Sequence, residues 1–508
     1  MISFPDFTGW RAKLSGLSLW LGLAVGGSVW AATPARPNVV WIIADDLSPD
    51  LAVYGYPGVK TPHLDRLAAE GRRYQNAYVS APVCSSSRSA FILGTYQITT
   101  GLHAHDVENP QPLAAPYRPL PALLREAGWF VTNAAAPGTQ RNGRVLTKAK
   151  THYNFAHDPA RVYDGTDWRK RAPGQPFFAQ YQIGEPHRPF PVPTTFDEAA
   201  LKALVLPPHY PDHPLTRRDW YAYLRSVEEV DRKVGLILAE LRDAGVLENT
   251  VVMFFGDNGR PMPWGKQWLT VEGLRVPLII RGPAVATPGG VERRLVSMID
   301  LAPTVLTLAG VPVPDWMQGR PILGAPFPER NVIFAARDRC GDAGDRIRAV
   351  ISETHLLVKN YDPQLPYLNW SGYKETSYPG MALLRVLGSR GALTPRQAVY
   401  LESGRPEFEL YDLRSDPQGF DNVVRAPAQA GVKAKLEHEL DAWVRATGDR
   451  GALPDPATEP TLPEIQKSKR QDYQRAWKAR GLPAEPTDAE RLAWWERTYG
   501  LGAPATVR

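Results

Sequence analysis

The chain predicts an α/β fold: a large, mainly parallel sheet flanked by helices, followed by a smaller α+β C-terminal region. Three observations carry this. Continuous apolar, β-branched runs such as Asn38-Val-Val-Trp-Ile-Ile43 read as strands buried on both faces, the habit of parallel sheets. Those runs alternate with helical patterns, as crossovers between parallel strands require. With 508 residues, 43% of them apolar, the chain can bury a large core.

The elements follow in order. Residues 1–31 read as an export signal: Arg11 and Lys13 precede an apolar run over 17–30, and Val29-Trp30-Ala31 offers a cleavage site. The run is short for a bilayer span. The expectation is an exported protein, periplasmic or secreted, with no stable membrane anchor after cleavage. An α/β catalytic domain then spans 36–325. Behind its first strand, Thr61 can cap a helix that Pro62 opens and Gly71 closes. Further strands are expected at 129–132, 177–183, 250–255 and 276–280. Leu224, Val227, Val230, Val234, Ile237 and Leu241 recur at helical spacing, which predicts a helix over about 219–244.

The pattern weakens in a smaller subdomain, 326–450. Short strands are expected at 332–336, 348–352 and 356–359, and a helix at 432–444. The extension 451–508 is rich in proline and charge, carries Trp477, Trp494 and Trp495, and is expected to wrap over the surface.

Net charge is +6, which suits an acidic partner such as a sulfated or phosphorylated substrate. No Lys/Arg run with interleaved aromatics is present, which argues against nucleic acid.

Two strands end alike. The first runs into Asp45-Asp46, and the one at 250–255 into Gly256-Asp257-Asn258-Gly259. Ligands of parallel sheets bind beyond the carboxyl ends of the strands. Three carboxylates and a carboxamide there would form an oxygen cage for a hard cation, Ca²⁺ or Mg²⁺. Asp and Asn are also common turn formers, so either pair alone says little.

Cys84 is one of only two cysteines, with Cys340. A thiolate is soft and matches Ca²⁺ poorly. One disulfide would add little to the framework of so large a fold. Ser85, Ser86 and Ser87 can cap a helix starting near Ser87, which places Cys84 where an anion is favoured. His103 and His105 form an H-x-H that invites a transition-metal reading. The expected cation prefers oxygen, so these two are assigned to a loop.

These residues resemble the sulfatase family of the alkaline phosphatase-like superfamily. Cys84-Ser-Ser-Ser-Arg88 is similar to the signature C-x-P-S-R, whose cysteine is oxidised to formylglycine. Pro37 to Asp46, Thr61 to Ala68, Gly256-Asp-Asn-Gly259, Trp264-Gly-Lys266, Glu272 to Pro277, Asp300 to Thr304 and Glu409 to Leu413 follow in family order. The likeness covers roughly 36–445 and is greatest to sulfamidases, the heparan N-sulfatases, and bacterial relatives. It implies a calcium-dependent sulfuric ester hydrolase acting on sulfate esters or sulfamates, on a sulfated small molecule or glycan.

The resemblance also implies roles. Asp45, Asp46, Asp257, Asn258 and the formylglycine made from Cys84 would hold one Ca²⁺. Cys84 would supply the nucleophile after conversion by a formylglycine-generating maturation enzyme, and Arg88 would orient it. Lys266 matches a lysine that grips the sulfate, and His187 the second histidine of H-x-P-H, whose first is replaced by Gly184. Lys150 and His152 resemble a K-x-H pair displaced by a local insertion, with Lys148 a competing choice. Ser86 stands where proline is usual. Proline favours the extended shape that maturation enzymes read; serine does not. Two rivals follow: a phosphodiesterase or phosphonate hydrolase of the same superfamily, and a catalytically silent protein that binds sulfated glycans.

Overall fold

The computed structural model describes residues 36–141, 144–146, 149–327, 329–451, 453 and 459–502. The expected export signal and Lys148 lie outside these. The central sheet has seven strands: β1 (Asn38–Ala44), β2 (Arg72–Tyr78), β3 (Phe130–Ala135), β4 (Phe177–Ile183), β5 (Thr250–Gly256), β6 (Leu278–Arg281) and β7 (Gly290–Ser297). Their order is β3-β4-β1-β5-β6-β2-β7. Strand β6 runs antiparallel to both neighbours, and every other pairing is parallel.

The adjacent strands β4, β1 and β5 are buried along their whole length, which is why they read as unbroken apolar runs. Their register pairs Ala44 with both Ile183 and Gly256. All three strands therefore stop at one level, and the segments after them emerge side by side. Strands β2 and β7 were not expected. RRYQNAY and GVERRLVS lack an apolar run because both are only partly buried, and they are held by pairing with each other.

Helices α1 (Pro62–Glu70), α2 (Cys84–Leu93) and α3 (Pro214–Asp243) pack around the sheet. Helix α3 starts five residues before its expected start, because Pro214 takes the first position and His213 Nδ1 accepts from the Leu215 N–H at 3.2 Å. Helix α2 starts at Cys84 rather than near Ser87. Its serines do not cap it; they lie inside its first turns and tie it to neighbouring loops.

A second, antiparallel sheet has strands β8 (Val332–Cys340), β9 (Ala343–Ser352), β10 (His355–Asn360) and β11 (Phe408–Asp412) in that order. Helix α4 (Gly372–Ser377) lies between β10 and β11 in sequence, and α5 (Ala430–Ala446) packs on the sheet. Trp443 of α5 stacks on Phe334 of β8 with ring centroids 5.0 Å apart.

The C-terminal extension corrects expectation. Instead of a surface wrap it forms two helices, α6 (Leu462–Ala479) and α7 (Asp488–Thr498). Trp477 is fully buried, edge-on to Trp494 at 5.7 Å and to Trp495 at 6.5 Å. Arg480 lies over Trp477 and Trp494 and donates to the Thr376 carbonyl at 2.8 Å. Trp477 and Trp495 are buried as part of the main hydrophobic core, and Trp494 packs against it. Trp477→Ala is expected to cost about 3–5 kcal/mol of folding stability, read as a fall in the denaturation midpoint.

Candidate active site

The ends of β1 and β5 bring the two acidic pairs together. The Asp257 N–H donates to the Ala44 carbonyl at 3.0 Å, and the Asp46 N–H to Asp257 Oδ1 at 2.9 Å. Gly256 permits this approach: a Cβ there would sit 2.4 Å from the Leu47 carbonyl oxygen. Asp46 has φ 60°, a left-handed conformation that Asp tolerates better than most residues and that clusters at functional sites. Asp45, Asp46 and Asp257 are buried, and one carboxylate oxygen of each lies with Cys84 Sγ in a group whose members are all within 4.8 Å. Asn258 Nδ2 donates to Asp46 Oδ1 at 2.9 Å. Its Oδ1 is buried and has no hydrogen-bond partner among the described residues.

Cys84, the first residue of α2, is 1% exposed, with Sγ 3.4 Å from Asp45 Oδ1 and 3.5 Å from Asp46 Oδ1. Burial pushes its thiol well above the ordinary range, with Lys150 and Lys266 opposing and the two carboxylates adding. Cys84 and Cys340 are both buried and free.

Arg88 sits one turn along α2. Its Nε donates to Asp257 Oδ2 and its Nη1 to Gln182 Oε1, both at 2.7 Å. Lys266 Nζ donates to Asp46 Oδ2 at 2.8 Å, and Lys150 Nζ to Asp45 Oδ2 at 2.6 Å. Burial works to raise the Asp45 carboxyl, but Lys150, His187 and Arg88 outweigh it and hold the group well below the usual range. His187 Nε2 lies 3.8 Å from Asp46 Oδ2. All ten residues expected from the sequence are thus in this region, with His152 on the rim.

His152 Nε2 pairs with Asp106 Oδ1, and His105 Nδ1 lies 3.6 Å from Asp106 Oδ2. Asp106 and His152 both have positive φ, 54° and 55°. The loops that carry them are tied to α2. Ser86 Oγ donates to the His103 carbonyl at 3.0 Å, and Ser85 Oγ accepts from the Asp106 N–H at 3.1 Å. Asn154 Nδ2 donates to the Leu102 and Ala104 carbonyls at 2.8 and 2.7 Å. Two residues of the signature, Ser85 and Ser86, therefore fasten α2 to the loop that carries His103 and Asp106.

A cavity of about 380 Å³ opens at these groups, and Cys84, His152, His187 and Lys266 are among the residues that line it. Gln182, Asp106, Tyr373 and His105 were not predicted as site residues. The first two partner predicted residues, and the last two line the cavity. His105, assigned to a loop, does lie in one, but it faces the cavity beside Asp106. The H-x-H-D run was the only local signal for it.

The sulfatase family model matches residues 37–311. An ulvan-active sulfatase of Formosa agariphila is 31% identical over 478 residues, covering 83% of this chain and 77% of that protein. The N-sulphoglucosamine sulphohydrolase of Homo sapiens is 27% identical over 471 residues, covering 82% and 91%. A solved structure of a protein in complex with its substrate D-glucosamine-2-N,6-O-disulfate superposes with a TM-score of 0.59 at 18% identity, covering 83% of this chain and 100% of that one. A phosphonate monoester hydrolase from Silicibacter pomeroyi superposes with a TM-score of 0.57 at 20% identity, covering 82% and 96%. At such identities the superpositions speak to fold alone.

Proposed function

The chain belongs to the sulfatase family and is a sulfuric ester hydrolase; from that premise we propose that it is an exported, calcium-dependent enzyme that releases sulfate from glycans, with Cys84 matured to formylglycine. One observation carries the reading: Cys84 lies at the mouth of a buried cage of three carboxylates and a carboxamide, ringed by Arg88, Lys150 and Lys266. The names of the two relatives support a glycan carrying sulfate esters or sulfamates as the substrate class.

The residues fit a hard cation. Asp45, Asp46 and Asp257 offer oxygens, and the buried Asn258 Oδ1 has no partner among the described residues. When bound, the ion would supply Lewis-acid stabilisation of charge on the sulfuryl oxygens. When formed, formylglycine would supply a hydrated aldehyde, whose hydroxyl is the nucleophile that a buried neutral thiol is not.

The chain's own residues do the rest. Arg88 holds Asp257 in place and is itself fixed by Gln182. Lys266 and Lys150 each hold a cage carboxylate and bring an ammonium group beside Cys84, where an anionic sulfuryl group is favoured. Arg88, Lys150 and Lys266 each pair with one cage carboxylate, so a bound divalent ion would leave the site net positive towards the substrate. His187 and His152 face the same cavity with imidazoles that burial keeps neutral at lower pH than usual. His152 is fixed by Asp106.

Ser86 is the departure that bears on maturation. It lies in the first turn of α2, where a backbone N–H needs no helical acceptor, so proline is tolerated there. Ser86→Pro is expected to raise the fraction of Cys84 converted by a co-expressed formylglycine-generating enzyme. The same change removes the hydroxyl bond to His103, costing about 1 kcal/mol. Peptide mass spectrometry reads the first effect and thermal melting the second.

Sulfate release from N-sulfoglucosamine, N-acetylgalactosamine 6-sulfate and ulvan, beside phosphate and phosphonate monoesters, tests the proposal. Turnover of a sulfated saccharide is expected. Turnover confined to the phosphorus esters, or salt-sensitive saccharide binding without turnover, would overturn it.

A further inference from the structure

We propose that helix α6 of the C-terminal extension is the substrate-reading wall of the cleft, where Lys469, Asp472 and Tyr473 recognise the pyranose ring that carries the sulfate. The inference rests on the sulfatase reading and extends it to specificity. Four residues of α6 line the cavity that holds Cys84: Lys469, Asp472, Tyr473 and Ala476. Their spacing is i, i+3, i+4 and i+7, one stripe on one face of a helix. The helix therefore presents a continuous edge to the site rather than grazing it.

That edge is fixed in place. Gln466 Nε2 donates to the Asp342 carbonyl at 3.2 Å, and the Tyr473 ring meets Trp370 at 5.7 Å. A Cβ on Gly372 of α4 would come within 3.1 Å of the Lys469 carbonyl oxygen, so the two helices lie close. Behind them Trp477 is fully buried.

The chemistry of the wall is that of a sugar site. Tyr473, buried with Arg470 over its ring, and Tyr373 of α4, with Lys266 over its ring, give the cavity wall an aromatic edge against which the apolar side of a pyranose ring can pack. Lys469 Nζ and Asp472 Oδ2 lie 3.9 Å apart, with about half of each side chain exposed. A cation that donates beside a carboxylate that accepts suits neighbouring ring hydroxyls. The sulfate end of the cavity needs none of these groups. A small aryl sulfate is held there by the lysines and the cage, and a saccharide reaches the α6 stripe as well.

The experiment measures selectivity in full-length matured enzyme. kcat/KM is determined for 4-nitrophenyl sulfate and for whichever of N-sulfoglucosamine, N-acetylgalactosamine 6-sulfate or ulvan oligosaccharides the wild type cleaves fastest. Lys469→Ala and Asp472→Ala are expected to lower the saccharide-to-aryl ratio about tenfold or more, because each leaves substrate hydroxyls unpaired. Ala476→Trp, which adds bulk to the same stripe without removing a charge, is expected to lower it too. A ratio within about twofold of wild type in all three variants overturns the proposal, as does a parallel loss on both substrates. A matured wild type that cleaves neither class of sulfate overturns the underlying reading instead.

Discussion

Cys84→Ala is expected to abolish sulfate release, lowering kcat by about four orders of magnitude or more, while leaving the melting temperature close to that of the wild type. The two halves of this result have separate causes. The thiol is buried, yet its polar contacts are two weak ones, to Asp45 at 3.4 Å and Asp46 at 3.5 Å. Alanine removes a single sulfur atom and favours the helix that begins there. The cage carboxylates keep their bonds to Arg88, Lys150, Lys266 and the backbone. Nothing that holds the fold is lost, but the only atom that can become the nucleophile is gone. Sulfate measured by ion chromatography, beside thermal melting, checks both halves. Activity above about 1% of wild type would remove Cys84 from the role of nucleophile.

Asp257→Asn carries the second large effect. This carboxylate accepts from the Asp46 N–H at 2.9 Å and from Arg88 Nε at 2.7 Å. Asparagine can keep the first bond through its carbonyl. It removes one of the cage's three negative charges and leaves buried Arg88 without its ion-pair partner. Activity is expected to fall by about three orders of magnitude. A distinct readout isolates the metal. At a Ca²⁺ concentration about 100 times its dissociation constant, wild-type stability should rise by about 2.7 kcal/mol, seen as a higher melting temperature. In the variant that rise should vanish. A wild type whose melting and activity ignore both Ca²⁺ and a chelator would contradict the cation cage.

The cage was legible in the sequence for a physical reason. Asp45-Asp46 and Asp257-Asn258 each follow a run of buried apolar residues, and neighbouring parallel strands that end in register must bring such pairs together. Arg88 was legible through its place in the signature, four residues beyond Cys84 on one helix. Lys150 was harder, because 14 residues, 136–149, separate it from the end of β3 at Ala135. Only a motif likeness pointed to it, and its 2.6 Å bond to Asp45 joins residues 105 apart in sequence, which local pattern does not carry. The role of Ser86 was read from what it replaces. Its hydroxyl in fact fastens α2 to the His103 loop, a contact that local pattern does not carry. The α6 stripe was least visible. Proline and charge around it suggested a surface wrap, while burial of Trp477 depends on Trp494 and Trp495 meeting it in space.

The most direct test of the central claim is the mass of one peptide. The protein is co-expressed with a formylglycine-generating enzyme, and the tryptic fragment from Tyr74 to Arg88 is weighed. The account predicts that the thiol of Cys84 has been replaced by an aldehyde or its hydrate, in protein that releases sulfate. An unmodified, alkylatable thiol in protein that still releases sulfate would contradict it.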